Sequence, residues 1–217
     1  MSEIENSLAD LPLTDLLDRF ASVEPTPGGG SAAAMAGAFA GALVEMVVAV
    51  STKSPDGTAV LADLGTRAQL LRGQLLDGAD RDSQAFDEVR AAYRLPRETD
   101  EDKRRRKTAI QSAMKHAAEV PLENAALCLD AARLAREALD LGAANVTTDG
   151  AVGVLFALAG VEGAVLNVAV NLESIRDEDF VRVVKSRAES LLAESSTMRA
   201  DLWALLRERL AALPKGE

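Results

Sequence analysis

The chain has 217 residues and a formal net charge of −10, and it contains one cysteine and one histidine. The negative charge argues against nucleic acid or an anionic membrane surface as the main partner. A single cysteine excludes an intrachain disulfide and a four-cysteine metal site, and the single His116 excludes a multi-histidine metal site. We therefore expect a cytoplasmic protein with no metal, no nucleic acid and no membrane partner.

A glycine loop separates the first two predicted helices. The patterns predict a short amphipathic helix over residues 11–21 and a second helix from Ser31 to about Thr52, with Pro25-Thr26-Pro27-Gly28-Gly29-Gly30-Ser31 between them. Three glycines let the backbone approach a neighbour closely, and Ser31 is a good N-cap. The loop is either a rigid turn before a core helix or part of a ligand site at a helix N-terminus.

The second predicted helix carries small residues at every fourth position, namely Ala33, Gly37 and Gly41. Such a row lets another helix pack very closely. Glu45 continues the row and places a carboxylate at its end. Ser54-Pro55-Asp56-Gly57 then predicts a turn.

The third predicted helix, from Thr58 to about Arg94, has an apolar face that contains a carboxylate. The face comprises Leu64, Ala68, Leu71, Leu75, Ala79, Asp82, Phe86, Val89 and Tyr93, at steps of three or four. An aspartate on a buried face either has a partner or has a raised pKa, which suits general acid–base chemistry. Both interpretations of Asp82 stay open, whereas Asp80 and Asp87 lie off the face and are expected at the surface.

The fourth predicted helix, over about residues 102–141, begins with the basic run Lys103-Arg104-Arg105-Arg106-Lys107. This run is either a solvated helix start or a receptor for an acidic tail on a substrate. Pro121 lies inside the pattern and predicts a kink or break near Val120. Gly142 is the expected C-cap, and His116 falls on the charged, solvated side.

The fifth predicted helix, over about residues 148–172, repeats the small-residue row of the second. Its row comprises Gly153, Ala157, Gly160 and Ala164, and Asn167 and Asn171 extend it. Polar groups at the ends of such rows either bond to each other in the core or line a cavity. Both runs are about long enough to cross a membrane, but Glu45 and Glu162 inside them favour buried helices.

A last amphipathic helix is predicted over about residues 177–213, and no stretch shows a convincing strand pattern. The predicted fold class is therefore all-α. We expect a single domain, residues 1–217, built as a bundle of about six helices, two of them rich in Ala and Gly and tightly packed.

Several blocks of the chain occur together in a fixed order. They are Pro25 to Ala33, then Asp82-Ser83-Gln84-Ala85-Phe86 with Leu95-Pro96, then Val120-Pro121-Leu122, then Asp149-Gly150 leading to residues 167–172. These blocks resemble the folate cyclodeaminase/cyclohydrolase family over about residues 13–210. That family includes the cyclodeaminase half of formiminotransferase-cyclodeaminase and stand-alone bacterial methenyltetrahydrofolate cyclohydrolases.

The chain departs from the pattern of this family at three places. The family usually has Gly-Asn where this chain has Gly142-Ala143, and Ser-Asp where it has Thr148-Asp149. A basic, aromatic-containing segment of the family is replaced here by Lys53 and a short turn.

The resemblance implies a helical homodimer that binds a tetrahydrofolate derivative and uses no further cofactor. It implies that Asp82 is the acid–base residue. The expected substrate-binding residues are Pro27, Gly28, Gly29, Gly30, Ser31, Glu45, Phe86, Asn145, Asp149, Asn167 and Asn171.

Two reactions and one non-catalytic role stay open. Our first expectation is cyclodeamination of 5-formimidoyltetrahydrofolate to 5,10-methenyltetrahydrofolate and ammonia. The alternative reaction on the same scaffold is hydrolysis of methenyltetrahydrofolate by a cyclohydrolase. A helical module that binds folate or a protein without turnover is the third interpretation.

Overall fold

Six α-helices form a single bundle. The computed structural model describes residues 7–52 and 58–213, and the helices are α1 Leu13–Phe20, α2 Gly29–Ser51, α3 Thr58–Tyr93, α4 Asp100–Leu141, α5 Thr147–Leu172 and α6 Glu178–Arg209. Short 3-10 helices cover Leu8–Asp10 and Ala144–Val146. These two described ranges contain no strand, which confirms the predicted all-α bundle. The turn predicted at residues 54–57 lies outside the described residues.

The two Ala/Gly-rich helices, α2 and α5, pack against each other in opposite directions. Gly29 at the start of α2 lies beside Asn167 near the end of α5, and Gly160 lies beside Ala33. A Cβ added at Gly160 would be 2.8 Å from the Ala33 carbonyl oxygen and 2.7 Å from the Sγ of Cys128 on α4. The predicted small-residue rows are thus confirmed, because only small residues let these three helices meet so closely.

The helix α2 begins two residues earlier than predicted. Its N-cap is Gly28, in an extended conformation with φ −127° and ψ −161°, and Ser31 is the third residue of the helix. Ser31 is fully buried and its hydroxyl bonds to groups of α3. The predicted N-cap role of Ser31 is therefore wrong, because the serine oxygen makes a long-range contact and glycine is tolerated at the N-cap.

The long helix α4 is continuous through Pro121, so of the predicted kink or break near Val120 the break does not occur, and the kink stays a prediction. Val120 and Pro121 are buried, and Val120 packs against Ala85 and Ala117. This packing offsets the loss of a backbone hydrogen bond at the proline. The start of α4 is a capping box formed by Thr99 and Asp102, and its C-cap is the predicted Gly142.

By length and composition, α2 and α5 could each cross a membrane. The mean hydropathy reaches 2.0 in Gly29–Ser51 and 1.9 in Ala144–Leu172, and 56% of each apolar window is buried inside the bundle. Packing on the other helices therefore accounts for much of this apolar character. The remainder is exposed and includes Phe39 and Phe156, whose ring centroids are 5.9 Å apart.

Candidate active site

The carboxylate of Asp82 on α3 lies directly against the first turn of α2. A Cβ added at Gly30 would be 2.6 Å from Asp82 Cγ, so only glycine leaves room for this approach. The Ser31 hydroxyl lies 3.0 Å from Asp82 Oδ2 and 3.0 Å from the Ala79 carbonyl oxygen. The Ser83 hydroxyl is 3.2 Å away on the other side. Because Ser31 has one hydroxyl proton, it can serve only one of its two acceptors at a time.

Burial raises the pKa of the Asp82 carboxyl above the usual range for aspartate. Hydrogen bonds from the hydroxyl and the backbone N–H of Ser31 oppose this shift in pKa. No ion pair within residues 7–52 and 58–213 includes Asp82, whereas its neighbour Arg81 pairs with Glu123. Of the two interpretations of Asp82, the geometry supports a carboxyl with a raised pKa, which can accept and return a proton.

Two asparagines of α5 stand at the same end of the bundle as Asp82. Asn167 is half-buried, and its side-chain amide donates a 2.9 Å hydrogen bond to the Gly163 carbonyl oxygen. The same amide nitrogen would be 3.4 Å from a Cβ added at Gly29. Asn171, one turn further along α5, donates a 2.6 Å hydrogen bond to the Ala117 carbonyl oxygen of α4. The amide oxygen of Asn167 has no hydrogen-bond donor within the described part of the chain. It is therefore free to accept a bond from a ligand beside Gly29.

Three of the expected substrate-binding residues lie away from Asp82. Glu45 pairs with Arg72 at 2.6 Å, and it lies about 22 Å along α2 from Gly30. Asn145 and Asp149 lie near the C-terminal end of α2, where the backbone N–H of Ala143 donates to Ser51. Because α2 and α5 are antiparallel, the polar ends of their rows fall at opposite ends of the bundle. Contact of these three residues with a substrate stays a prediction.

The predicted apolar face of α3 is buried only up to Asp82. Beyond it, Phe86 is 41% exposed and Tyr93 is 50% exposed, while Ala85 and Ala92 are buried instead. The reason is that α2 starts at Gly29, opposite Asp82, and extends no further along α3. The expectation that Phe86 and Tyr93 belong to the core is therefore wrong, and Phe86 is open to a ligand one turn beyond Asp82.

A cavity of about 180 Å³ adjoins this site. Its lining comprises Ser7, Leu8, Arg19, Thr26, Pro27, Asp80, Ser83, Gln84 and Asp87. Asp80, which we expected to be a simple surface residue, accepts a 2.8 Å hydrogen bond from the backbone N–H of Leu8. The sequence has no local signal for this contact, because the two residues are 72 positions apart.

The remaining reactive side chains lie elsewhere. Cys128 is buried, and burial raises the pKa of its thiol to about 12. His116 is partly exposed and lies 2.8 Å from Glu88. Across the ranges that the structure describes, no three His, Cys, Asp or Glu side chains come close enough together to hold a metal ion.

Fold and site together define an all-helical protein in which a half-buried carboxylate faces a glycine-lined helix start. Residues 12–190 match the Formiminotransferase-cyclodeaminase family, and the chain belongs to this family of enzymes of folate one-carbon metabolism. It is 38% identical over 197 residues to the methenyltetrahydrofolate cyclohydrolase of Methylorubrum extorquens, covering 89% of this chain and 95% of that protein.

Two further comparisons agree with the predicted resemblance. The chain is 31% identical over 211 residues to the formimidoyltransferase-cyclodeaminase of Sus scrofa, covering 96% of this chain but 38% of that longer protein. The crystal structure of formiminotetrahydrofolate cyclodeaminase from Thermotoga maritima superposes with a TM-score of 0.76 at 26% identity, covering 94% and 98% of the two chains. The resemblance inferred from the sequence blocks is thereby confirmed.

Proposed function

We propose that this chain is a methenyltetrahydrofolate cyclohydrolase, which opens the five-membered ring of 5,10-methenyltetrahydrofolate with water. The observation that carries the proposal is the 38% identity to a cyclohydrolase over nearly the full length of both proteins. This reverses the order of our two expectations from the sequence, in which cyclodeamination came first. The carboxyl of Asp82, with its raised pKa, suits the proton transfers of either reaction.

Hydrolysis needs a group that takes a proton and later returns it. The Asp82 carboxylate accepts a proton from the attacking water while the water oxygen bonds to the methenyl carbon, which neutralises the cationic substrate. The protonated carboxyl then donates to N5 as the bond between that carbon and N5 breaks. The hydroxyl on the carbon loses its remaining proton to solvent, and the formyl group stays on N10. The balance is one water consumed and one proton released.

The neighbours of Asp82 support both protonation states of its carboxyl. When the carboxylate is ionised, the Ser31 hydroxyl donates to Oδ2; when it is protonated, that hydroxyl can turn to the Ala79 carbonyl oxygen, also 3.0 Å away. Gly30 lets the carboxylate stand against the backbone, and Asn167 offers a free amide oxygen beside Gly29. Rigid helices on both sides fix the position of the substrate, which is a large part of catalysis.

Cyclodeamination is the second candidate, favoured by the likeness to the Thermotoga maritima cyclodeaminase over 98% of that chain. In that reaction N10 attacks the carbon of the protonated formimidoyl group (=NH2+), and Asp82 moves the N10 proton to the departing nitrogen. That nitrogen leaves as ammonia, and the positive charge stays on the methenyl product. The same site geometry serves both reactions, since each needs N5, N10 and a single carboxyl in line.

The test presents both substrates to the purified protein and follows the absorbance of methenyltetrahydrofolate. Loss of methenyltetrahydrofolate above the enzyme-free rate identifies the cyclohydrolase, and its formation from formimidoyltetrahydrofolate identifies the cyclodeaminase. Asp82→Asn should abolish the activity, whereas Asp63→Asn should retain it, because Asp63 is an exposed residue of α3 paired with Arg67 and lies away from the site. Folate binding without turnover of either substrate would favour a non-catalytic module.

We also propose that the chain forms a homodimer through the outer face of α2 and α5. This face combines exposed large apolar side chains with alanines between them; its large members are Phe39, Val152, Phe156, Leu166 and Val170. Apolar surface contributed by two adjacent helices marks an interaction site in a soluble protein. A second copy of the chain offers the same apolar face. Two copies related by a two-fold axis at the α2–α5 pair would therefore bury both apolar faces against each other.

A further inference from the structure

A chain of three hydrogen-bonding side chains joins Asp82 to the neighbouring cavity. The Ser31 hydroxyl lies 3.0 Å from Asp82 Oδ2 and 3.2 Å from the Ser83 hydroxyl, and either serine oxygen can donate to the other. Ser83 in turn lines the polar cavity of about 180 Å³ beside the candidate active site. The chain therefore leads from the candidate acid–base carboxyl to a second compartment.

The middle of this chain is closed to solvent, whereas both of its ends are partly open. Ser31 is fully buried, and Asp82 and Ser83 are half-buried. Successive residues of a helix point about 100° apart. Asp82 and Ser83 therefore open on different sides of α3, and the Ser31 hydroxyl connects these two sides through the interior of the protein.

The cavity at the outer end of the chain suits the uptake of a proton. Its volume leaves room for several water molecules, since one water occupies about 30 Å³ in the liquid. Its lining carries two carboxylates, Asp80 and Asp87, and one cation, Arg19. The excess of negative charge favours a proton that arrives there on water.

Hydrolysis of methenyltetrahydrofolate releases one proton for each substrate, and this proton has to leave the site. In the proposed reaction, the Asp82 carboxylate takes a proton from the attacking water and returns it to N5. It is then an anion beside the hydroxyl on the same carbon, and it can take the second proton as the formyl group forms. A bound substrate would cover the open side of Asp82, so the buried serine offers the remaining way out.

We propose that Ser31 and Ser83 relay this second proton from Asp82 to water in the cavity. The proposal rests on the proposed hydrolysis. The Asp82 proton passes to the Ser31 oxygen, the Ser31 proton passes to the Ser83 oxygen, and the Ser83 proton passes to a water. Three O–H bonds break and three form, so both serines stay neutral, Asp82 is a carboxylate again and one hydronium ion is left in the cavity. The Ser31 hydroxyl then turns back, with the Ala79 carbonyl oxygen 3.0 Å away as an acceptor during the turn.

Cyclodeamination would leave this relay idle. In that reaction Asp82 takes one proton from N10 and gives it to the departing nitrogen, so the carboxylate is restored within the reaction itself. No proton has to leave the site. A relay beside Asp82 is therefore of use to hydrolysis alone, and its loss should slow hydrolysis without slowing any cyclodeamination.

The test compares two replacements of Ser83 that have the same shape. Ser83→Thr keeps the hydroxyl and Ser83→Val puts a methyl group in its place, and the cavity leaves room for the added carbon in both. Both side chains are β-branched, so they have similar effects on the helix. Proton transfer contributes about 100-fold or more to catalysis. We expect Ser83→Val to lower the kcat of hydrolysis about ten- to 100-fold with KM within about twofold, and Ser83→Thr to keep the wild-type kcat within about threefold.

The solvent deuterium isotope effect on kcat tells a relay from a merely structural role. In Ser83→Val the exit of the proton should become rate-limiting, so the isotope effect should rise, and it should return to the wild-type value in Ser83→Thr. Equal kcat values for the two variants, or a loss of kcat in Ser83→Val with an unchanged isotope effect, would overturn the proposal. An equal slowing of cyclodeamination by Ser83→Val would overturn it as well.

A titration that needs no turnover separates the relay from the proposed function. The Asp82 carboxyl is followed by NMR in protein that contains isotopically labelled aspartate, with Asp82→Asn to assign its signal. The Ser83 hydroxyl strengthens the bond from Ser31 to the carboxylate, because neighbouring hydrogen bonds polarise one another. The pKa of Asp82 should therefore lie higher in Ser83→Val than in Ser83→Thr or the wild type. This result supports the chain even if neither folate is turned over and the proposed function fails, whereas equal pKa values in all three proteins would overturn it.

Discussion

Replacing Gly30 with alanine tests the central contact of the candidate active site. Gly30 is the second residue of α2, in regular helical geometry, so a glycine is not required there by the backbone. What requires it is the approach of Asp82, whose Cγ would lie 2.6 Å from the new Cβ. Both residues sit on long helices, so the side chain of Asp82 has to move rather than the backbone.

The size of the displacement follows from the geometry. Ordinary contact of a Cβ begins at 3.4 Å, and Asp82 Oδ1 would be closer to the new Cβ than Cγ is, so the carboxylate must retreat by more than 0.8 Å (3.4 − 2.6), which also breaks the hydrogen bond from Ser31. A misplacement of about 1 Å at a catalytic group can lower the rate by about 100-fold. The helix itself would gain up to about 1 kcal/mol from alanine, so we expect a folded but nearly inactive protein.

The assay follows methenyltetrahydrofolate absorbance, with circular dichroism as a check on folding. Gly73→Ala is the control, because Gly73 lies inside α3 away from the site and its Cβ would meet no heavy atom within 4 Å. We expect Gly73→Ala to retain most of the activity while Gly30→Ala loses about 100-fold in kcat. A folded Gly30→Ala variant with kcat within about threefold of the wild type would refute the placement of Asp82 at the reacting atoms.

Further predictions concern titration, assembly and the core. Because the pKa of Asp82 is raised, the folded protein loses stability as pH rises from the ordinary pKa of aspartate to the raised value. The Asp82→Asn variant has no carboxyl to ionise, so over this pH range its Tm should rise relative to that of the wild type. Ser31→Ala removes bonds that favour the carboxylate, so the acid limb of kcat/KM should move to higher pH. Phe39→Asp should give a monomeric mass by light scattering, and Leu70→Asp, at an exposed apolar residue of α3, should stay dimeric. Cys128, with its thiol pKa raised to about 12, should react with iodoacetamide at pH 8 only at the rate of unfolding.

Helices could be predicted from the sequence because their signals are local. Apolar spacing and the small-residue rows placed all six helices within two residues of their observed starts. The errors arose where a distant contact decides the outcome. Val120 packs on Ala85 and keeps α4 helical through Pro121, and the bond from Ser31 to α3 outweighs its N-capping tendency.

The candidate site could be predicted only in part for the same reason. A carboxylate in an apolar face pointed to Asp82 without any knowledge of its partners. We expected Glu45 and Asn167, at the ends of the rows on α2 and α5, either to bond to each other in the core or to line a cavity, but spacing along a helix does not reveal the direction of its neighbour. Because α2 and α5 run antiparallel, the structure puts these two ends at opposite ends of the bundle.

The position at which α2 begins accounts for several properties of the site at once. One turn of α2 covers Asp82 and raises the pKa of its carboxyl, while the absence of α2 beyond that point leaves Phe86 and Tyr93 open. A helix one turn longer would enclose the carboxylate and shut out the substrate. A helix one turn shorter would leave the carboxyl in water with an ordinary pKa. The glycines at the start of α2 thus let the helix begin beside Asp82 and cover it only in part. In the proposed reaction, this partial burial would give the carboxyl both access to the substrate and a raised pKa.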